Sequence, residues 1–294
     1  MKTQKIKFFG LLILGIATIS LSGCATKKAA WGSLEKGMIM QYTFEPDRQL
    51  EYQNAFIFEQ EMEVMDNKIT ITAETNQMYQ MKPLAGKSTD LEYVVTLTEM
   101  DSKIVTPRGE MIAGVDEIVG ESFNFTMSPL GKELEYSGAK SLTYNYGNEE
   151  QKSLSTDMQA FFPDLPDHPV KAGDSWESKD YITEDSGSGE LIMNIVNRNT
   201  FEKIEIYNNY ECMKINVEFN GTIEGDGKQA GMELSTTGTI EGAGSWYYAF
   251  KEGIFVGQQI NGTGETTTEI TGAQEMTLPA TRKYTMNSRL VHHK

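Results

Sequence analysis

Alternation of apolar and polar residues with a period of two is the feature that most restricts how this chain can fold. It runs through residues 55–64, 68–73 and 91–98, and residues 190–196, 201–207 and 211–219 are further strand candidates. Because neighbouring side chains of a β-strand point to opposite faces, the pattern indicates strands with one buried and one solvated face. The chain is therefore predicted to be mainly β and antiparallel, as a curved sheet or half-barrel.

Short polar or glycine-containing segments separate the alternating runs and predict the turns between strands. Residues 65–67 are expected to close one hairpin, and residues 128–131, which contain Pro and Gly, a second. Asn220-Gly221 and Asn261-Gly262 are residue pairs favoured in tight turns, so turns are expected there as well. The pentapeptide Gly-Thr-Ile-Glu-Gly begins at Gly221 and again at Gly238, which indicates adjacent threonine-rich strands with glycine at the bends.

Residues 148–162 lack the alternation and predict one short helix. Leu154, Met158, Phe161 and Phe162 have the spacing of a single helical face, and Asn148 is a candidate for the helix cap. Three prolines follow within residues 163–169 and prevent the helix from continuing. This segment is therefore expected to cross between two β halves, with Trp176 filling a sheet edge or the gap between the halves.

The amino-terminal residues have the pattern of a signal peptide. Three lysines precede an apolar core at residues 8–21, which is too short to span a membrane as a mature helix. Leu-Ser-Gly-Cys at residues 21–24 then resembles the bacterial lipobox, whose cysteine is acylated and becomes the mature amino terminus. The resemblance implies a lipid anchor at Cys24, since each buried lipid methylene contributes about 0.8 kcal/mol. The alternative is an ordinary signal peptide with a chance cysteine.

The residue after Cys24 bears on the membrane involved. By resemblance to Gram-negative sorting patterns, Ala25 in place of aspartate implies the outer rather than the inner membrane. In a cell with one membrane the protein would face outward. The predicted organisation is a signal peptide at 1–23, a lipidated tether at 24–36, an amino-terminal β half at 37–147, the helix and proline-rich crossover at 148–180, a carboxy-terminal β half at 181–290 and a frayed tail at 291–294.

Charge narrows the list of partners. Residues 1–23 hold three lysines and no acidic residue, so the remaining chain carries 23 basic and 42 acidic residues, a net charge near −19. Binding to nucleic acid requires a basic patch, so nucleic acid is excluded as an expected partner. The expected partners are the membrane, through the amino-terminal lipid, and an apolar small molecule or an envelope protein.

Residues with reactive side chains give no catalytic motif. Cys212 lies in an alternating run and, with Cys24 acylated, has no partner for an internal disulfide, so it is predicted to be a buried structural cysteine. Asp164, Asp167, His168 and Asp174 offer oxygen and imidazole ligands, but no second histidine lies near them in the sequence, and no metal or other cofactor is expected. With 42 acidic residues, a hydrolase that uses a carboxylate pair remains an alternative.

The stretch Phe-Pro-Asp-Leu-Pro-Asp-His-Pro-Val-Lys-Ala-Gly-Asp-Ser-Trp, residues 162–176, carries a family resemblance. It is similar to a signature of uncharacterised bacterial lipoproteins, in which a Leu-Pro pair and a Pro-Val-x-x-Gly-Asp-Ser-Trp run follow a short helix. The resemblance implies a lipoprotein of unknown activity. The pattern of hairpins also resembles the half-barrels of lipoprotein carriers and lipoprotein-binding outer-membrane proteins, in which a curved sheet encloses an apolar cleft.

Together these features favour a non-enzymatic, lipid-anchored envelope lipoprotein that binds an apolar ligand or another envelope component. A structural or interaction lipoprotein without a small ligand is the first alternative, and a carboxylate-dependent hydrolase the second. Aromatic side chains are the candidates for lining a cleft or filling the core: Trp31, Phe56, Phe58, Tyr93, Trp176, Trp246, Tyr248 and Phe255.

The lipid anchor is directly testable. In bacteria fed an alkyne fatty acid, the wild-type chain is expected to incorporate the label and the Cys24→Ala variant is expected to incorporate none, because the acylated thiol is gone. Globomycin, which blocks lipoprotein signal processing, should leave the wild-type precursor uncleaved. Cys212→Ala is the matched control and should be labelled like the wild type. Equal labelling of the Cys24→Ala variant would contradict the assignment.

Overall fold

A computed structural model describes residues 31–43, 45–65, 67–84, 88–146, 151–186, 189–229, 231–272 and 275–293. Most of them lie in strands, which confirms the mainly β prediction. The strands are β1 Gly32–Ser33, β2 Gly37–Met38, β3 Leu50–Val64, β4 Asn67–Pro83, β5 Leu91–Thr106, β6 Gly109–Ile112, β7 Ser122–Met127, β8 Glu133–Glu135, β9 Thr143–Asn145, β10 Gln151–Ser153, β11 Ser175–Ser186, β12 Gly189–Tyr207, β13 Tyr210–Gln229, β14 Met232–Ala249, β15 Ile254–Thr271 and β16 Met276–His293. The helices are α1 Ser137–Lys140 and α2 Ser155–Met158.

One antiparallel sheet of 12 strands dominates the fold. Its order is β11-β12-β13-β14-β15-β16-β3-β4-β5-β7-β8, and β6 pairs with the far end of β5. The last strand of the chain, β16, pairs with β3, so hydrogen bonds join the carboxy-terminal half to the amino-terminal half. The edge strands β8 and β11 are connected through the crossover, which contains α1, α2 and the β9–β10 pair.

Two side chains of the crossover show how strongly the sheet curves. Asp157 accepts hydrogen bonds from Gln77 and Tyr79 on β4, while Gln159 bonds to Thr183 on β11. In a flat sheet these two strands would lie roughly 34 Å apart, because seven steps of about 4.8 Å separate them. Asp157 and Gln159 are only two residues apart, so their Cα atoms can be separated by at most about 7.6 Å. The sheet therefore curls around the crossover and remains unclosed between β8 and β11.

The two faces of the curled sheet differ in chemistry. On β13 and β14 the concave face presents Ile223 and Ile240, whereas Thr222, Glu224 and Thr239 point outward and are exposed. The same division holds along β15 and β16, where threonine, glutamate and lysine occupy the outward positions. The alternation read from the sequence thus separates an apolar concave face from a polar convex one.

The repeated pentapeptides lie side by side on β13 and β14, as predicted. Gly221 is opposite Ile240 and Ile223 is opposite Gly238, so each isoleucine packs beside a glycine of the other copy. The glycines are not at bends, however, but inside the strands. A Cβ atom on Gly221 would collide with the carbonyl oxygen of Asn194, so close approach of the neighbouring strand requires glycine there.

The two predicted Asn-Gly turns are wrong, because residues 220–221 lie within β13 and residues 261–262 within β15. The ring of Phe219 covers Gly242 and Gly262, and a Cβ atom on Gly262 would lie 2.9 Å from its Cζ. These glycines therefore make room for an aromatic ring on the concave face. Other turns are confirmed, including those after β3 and between β7 and β8.

One tight turn has no glycine to signal it. Asn208 and Asn209, between β12 and β13, have φ angles of 49° and 68°. Asparagine tolerates this left-handed region, and a two-residue loop of this conformation matches the twist of the flanking strands.

The helix predicted for residues 148–162 is much shorter in the structure. It is reduced to α2, preceded by β10, and a second short helix, α1, was not predicted. Asn148, the expected cap, lies outside the described residues. Pro163 disfavours a helical conformation in the residue before it, and residues 159–162 form turns and bends while Gln159 is hydrogen-bonded to β11.

Within the described residues, no helix has both the length and the apolar character needed to cross a membrane.

Phe161 and Phe162 connect the crossover to the sheet core. The Phe161 ring packs edge-on against Tyr52 and Tyr79, with centroids 5.5 and 5.8 Å away. The Phe162 ring packs in the same manner against Tyr42, at 5.5 Å. All five side chains are buried, so the two phenylalanines fill the core of the curled sheet from its concave side.

Both predicted chain-end segments are partly ordered. Residues 32–38, assigned to the tether and to the start of the first β half, form the small β1–β2 pair. Residues 291–293, predicted to fray, continue β16, where His292 pairs with Glu51 of β3. Backbone pairing with a neighbouring strand explains the difference, since a terminal strand in a sheet is held along its length.

A pair of substitutions on β14 tests the role of glycine on the concave face. Gly242→Val places a side chain where the Phe219 ring and the Asn261 carbonyl lie, and is expected to lower the free energy of unfolding by about 1–3 kcal/mol. Ala243→Val, one residue along and pointing outward, is expected to change it by less than about 0.5 kcal/mol. Urea unfolding followed by circular dichroism measures both. Equal loss of stability in the two variants would refute the close packing of Phe219 over Gly242.

Candidate ligand-binding cleft

A cleft of about 130 Å³ lies between the concave face of the sheet and the crossover, and it is partly open. A volume of this size is comparable to cavities that hold a benzene-sized molecule. Its walls are mainly apolar and come from six strands, β11 to β16, and the crossover. The apolar lining of the sheet consists of Ile182, Ile195, Val217, Phe219, Ile260 and Met286.

Strands β11 and β12 provide the polar end of the cleft. Ser178 and Asp180 occupy successive inward positions of β11, opposite Asn197 and Ile195 of β12. Asn199, the next inward residue of β12 after Asn197, lies opposite Trp176. Because inward positions recur every second residue, the alternation itself carries these polar groups into the concave face.

Hydrogen bonds fix the orientation of the polar side chains. The indole Nε1 of Trp246 donates to Asn199 Oδ1 at 3.0 Å, and Asn199 Nδ2 donates to Ser178 Oγ at 3.2 Å. Asn197 Nδ2 donates to Asp180 Oδ2 at 2.6 Å. The result is a connected polar wall with few free rotations, which is the kind of preorganised surface that orients a ligand.

Trp176 attaches the crossover to the edge strand. Its Nε1 donates to the backbone oxygen of Asp164 at 3.1 Å, and its ring packs edge-on against Trp246 with centroids 6.0 Å apart. The indole therefore fills the space where the crossover enters β11, which agrees with the predicted position of Trp176 at a sheet edge.

Asp164 and Asp180 line this end of the cleft, Glu133 lies against the Phe162 amide, and the pKa values of all three are shifted upward. Burial raises the pKa of both Asp164 and Asp180, and the charge of Asp180 adds to the effect on Asp164. Burial, together with the charges of Asp164 and Asp180, raises the pKa of Glu133 to about 8. Lys132 Nζ lies 3.8 Å from Asp164 Oδ2 and opposes these shifts.

The histidine of the crossover lies away from this cleft. His168 is exposed, and its Nδ1 is 2.9 Å from Oδ1 of the exposed Asp167. Across the described parts of the chain, no three His, Cys, Asp or Glu side chains are arranged to hold a metal ion.

Cys212 is buried and unpaired, as predicted. Its Sγ donates a weak hydrogen bond to the Tyr207 carbonyl at 3.8 Å, and burial raises the pKa of the thiol to about 12. A thiol that stays protonated is a poor nucleophile, which agrees with a structural role.

The structure separates the eight candidate aromatics. Five are buried in the core, namely Tyr93, Trp176, Trp246, Tyr248 and Phe255, and of these Trp246 also lines the cleft. Trp31 is half-buried and packs edge-on against Phe250 at 6.2 Å. Phe56 and Phe58 lie beside Tyr284 on the concave face, with centroids 6.3 and 5.6 Å away. Cys24 lies outside the described residues.

The polar end of the cleft was not predicted from the sequence. Asn197 and Asn199 share the inward side of β12 with Ile195 and Phe201, so each interrupts an apolar row with an amide. Such an interruption on a buried face is a detectable signal, because a buried amide requires hydrogen-bonding partners.

Comparison with known proteins gives no family for this chain. No family model matches it, and no curated protein matches it. Among solved structures, Pseudomonas aeruginosa OccK2 (OpdF) in complex with glucuronate aligns with a TM-score of 0.23 and 6% identity, over 86% of this chain and 98% of that one. Pseudomonas aeruginosa OpdQ aligns with a TM-score of 0.22 and 7% identity, over 84% and 100%. Similarities of this size carry no argument about fold or function.

The raised pKa of Glu133 predicts a pH-dependent stability. A carboxyl group whose pKa is about 8 in the folded state and near 4.5 when unfolded stabilises the fold at low pH, and this contribution is lost as pH rises between those values. Glu133→Gln keeps the acceptor that faces the Phe162 amide but cannot ionise. Between pH 5 and pH 9 it should therefore lose less unfolding free energy than the wild type, by on the order of 2 kcal/mol.

Urea titrations at several pH values measure this difference. Glu121→Gln, at an exposed position, is the control and should follow the wild-type curve. Parallel curves for Glu133→Gln and the wild type would show that Glu133 ionises normally in the folded protein.

Proposed function

We propose that this protein is a non-enzymatic envelope lipoprotein, anchored by lipid at Cys24, which binds an apolar ligand on the concave face of its sheet. The observation that carries the proposal is the cleft beneath the crossover, with its apolar walls and its oriented polar end. Concave, mainly apolar sites with a few fixed polar groups are typical of small-molecule binding.

The apolar surface extends beyond the cleft along the concave face. Leu191, Met193, Leu234, Ile270 and Leu278 point to the same side of the sheet and are half-buried. Covering such surface with a ligand stabilises the complex by roughly 25 cal/mol for each Å² of apolar area removed from water. An elongated apolar molecule could therefore occupy the cleft and continue along this face.

Placement at a membrane surface rests on the sequence. The lipobox-like residues 21–24 support an acyl anchor, and Ala25 supports the outer membrane in a cell that has two. The convex face, with its outward threonine, glutamate and lysine side chains, suits contact with water around an anchored body.

Two alternatives have weaker support. A purely structural lipoprotein would pair with partners through a free sheet edge, but the amide of Gln159 already bonds to both the N–H and the C=O of Thr183 on edge strand β11. A carboxylate-dependent hydrolase has Asp164 and Asp180 in the cleft in its favour, and an activity screen on glycans and esters tests it.

Lipid extraction tests the binding function. The full chain is purified from membranes into nanodiscs, extracted with organic solvent, and the extract is compared by mass spectrometry with that of empty nanodiscs. The wild type is expected to carry an apolar molecule absent from empty discs. Ile195→Trp, which fills the cleft, should lose it, whereas Asn194→Trp, on the outward side of the same strand, should retain it.

An extract indistinguishable from that of empty discs, together with no binding of apolar dyes, would overturn the proposal. Equal retention in Ile195→Trp and Asn194→Trp would place the bound molecule outside the cleft.

A further inference from the structure

The carboxyl groups of the cleft indicate which kind of apolar ligand it takes, an inference that rests on the proposed function. Asp164 and Asp180 line the cleft at its polar end. Ile195, Val217 and Ile260 line its apolar side. Two acidic groups facing an apolar cavity are costly, since burial opposes their charged form unless a positive group or hydrogen-bond donors compensate.

The protein provides little compensation for Asp180. Its Oδ2 accepts one hydrogen bond, from Asn197, and it forms no ion pair with any basic side chain in the described part of the chain. The nearest influence is Lys132, whose charge acts on Asp180 from a distance and whose Nζ lies 3.8 Å from Asp164. Lys132 Nζ also donates to the backbone oxygen of Lys179 at 3.2 Å, which holds it at the exposed rim.

The acidic groups therefore outnumber the cations at this end of the cleft. Glu133 adds a third carboxyl group, and its neighbours Asp164 and Asp180 act on it as negative charges. Because the pKa of Glu133 is about 8, this group is mostly protonated at pH 7.5, and the negative charge of the polar end comes from Asp164 and Asp180, with the single charge of Lys132 against them. A metal ion does not fit this arrangement, because among the described residues no three His, Cys, Asp or Glu side chains are placed to hold one.

We propose that the cleft selects amphipathic amines, with an ammonium group held between Asp164 and Asp180 and an apolar body against Ile195, Val217 and Ile260. An ammonium group supplies several N–H donors and one positive charge, which match two carboxylates with free acceptor positions. A neutral apolar molecule leaves both acids uncompensated, and an anion is repelled by them. The cleft volume of about 130 Å³ suits a body the size of one aromatic ring.

Three probes that share one ring test this selectivity. Binding of 4-fluorobenzylamine, 4-fluorobenzyl alcohol and 4-fluorobenzoate to the full chain in nanodiscs is measured by fluorine NMR at pH 7.5, with empty nanodiscs subtracted. The amine is expected to bind at least about tenfold more tightly than the alcohol, and the benzoate most weakly. Its affinity is expected to fall as the pH is lowered and the carboxylates become protonated.

Matched variants connect the preference to the two acids. Asp180→Asn keeps the shape of the side chain and should reduce the preference for amine over alcohol to about twofold or less. Asp164→Asn should reduce it in part, and provides an independent reading if the first variant is unstable. Asp185→Asn, on the same strand but exposed and pointing outward, should preserve the wild-type preference.

The outcomes separate this inference from the function on which it rests. Equal affinity for amine and alcohol, tighter binding of benzoate, or an unchanged preference in both Asp164→Asn and Asp180→Asn would overturn the amine selectivity while leaving an apolar binding protein. If none of the three probes binds, the selectivity is refuted, and lipid extraction decides whether an apolar cleft operates at all.

Discussion

The hydrogen bonds of the crossover to two distant strands determine the shape of the whole molecule. Asp157 is tied to β4 and Gln159 to β11, and a sheet in which these strands lie on one flat surface cannot make both contacts. Curvature follows from this pairing, and from curvature follows the distinction between a concave face and a convex one. The buried aromatic core, the cleft and the polar outer surface all depend on which face the crossover covers.

Close packing on the concave face leaves no room for a side chain at some positions, and glycine occupies those positions. Phe219 can lie across β14 and β15 because Gly242 and Gly262 leave space beneath its ring, and Ile223 and Ile240 pack beside glycines of the neighbouring strand. A sheet of bulkier residues would be pushed flatter or would twist differently. The repeated pentapeptide is therefore a packing device, in which each copy supplies both the large and the small partner.

The sheet was predictable from the sequence because a period of two is a direct consequence of strand geometry. Individual turns were less so. Asn-Gly indicates a turn only when the residues on its two sides can pair with each other. Residues 220–221 and 261–262 instead pair with neighbouring strands, and the pairing continues on both sides of them. Asn208-Asn209 turns without glycine because asparagine itself tolerates the left-handed region.

The candidate site was predictable in kind but not in position. Aromatic residues were the expected lining, yet most of those singled out are buried in the core, and the polar end is built by Asp180, Asn197 and Asn199. Their meeting with Asp164 depends on how the crossover returns to β11, which is a long-range property that local pattern does not contain. The apolar half of the lining follows from the alternation, since Ile195 and Val217 are inward residues of long strands.

Among the described residues, no backbone ladder joins the two edge strands of the main sheet, β8 and β11. Lys132, just before β8, donates to the Lys179 carbonyl on β11, and Gln159 of the crossover bonds to Thr183, whereas neighbouring strands of the main sheet share backbone ladders. Separating β8 from β11 breaks these few side-chain hydrogen bonds and leaves the backbone ladders intact. Opening at this edge is therefore the low-energy motion of the sheet. A change in the width of the gap between β8 and β11 thus leaves the backbone hydrogen bonds between neighbouring strands in place.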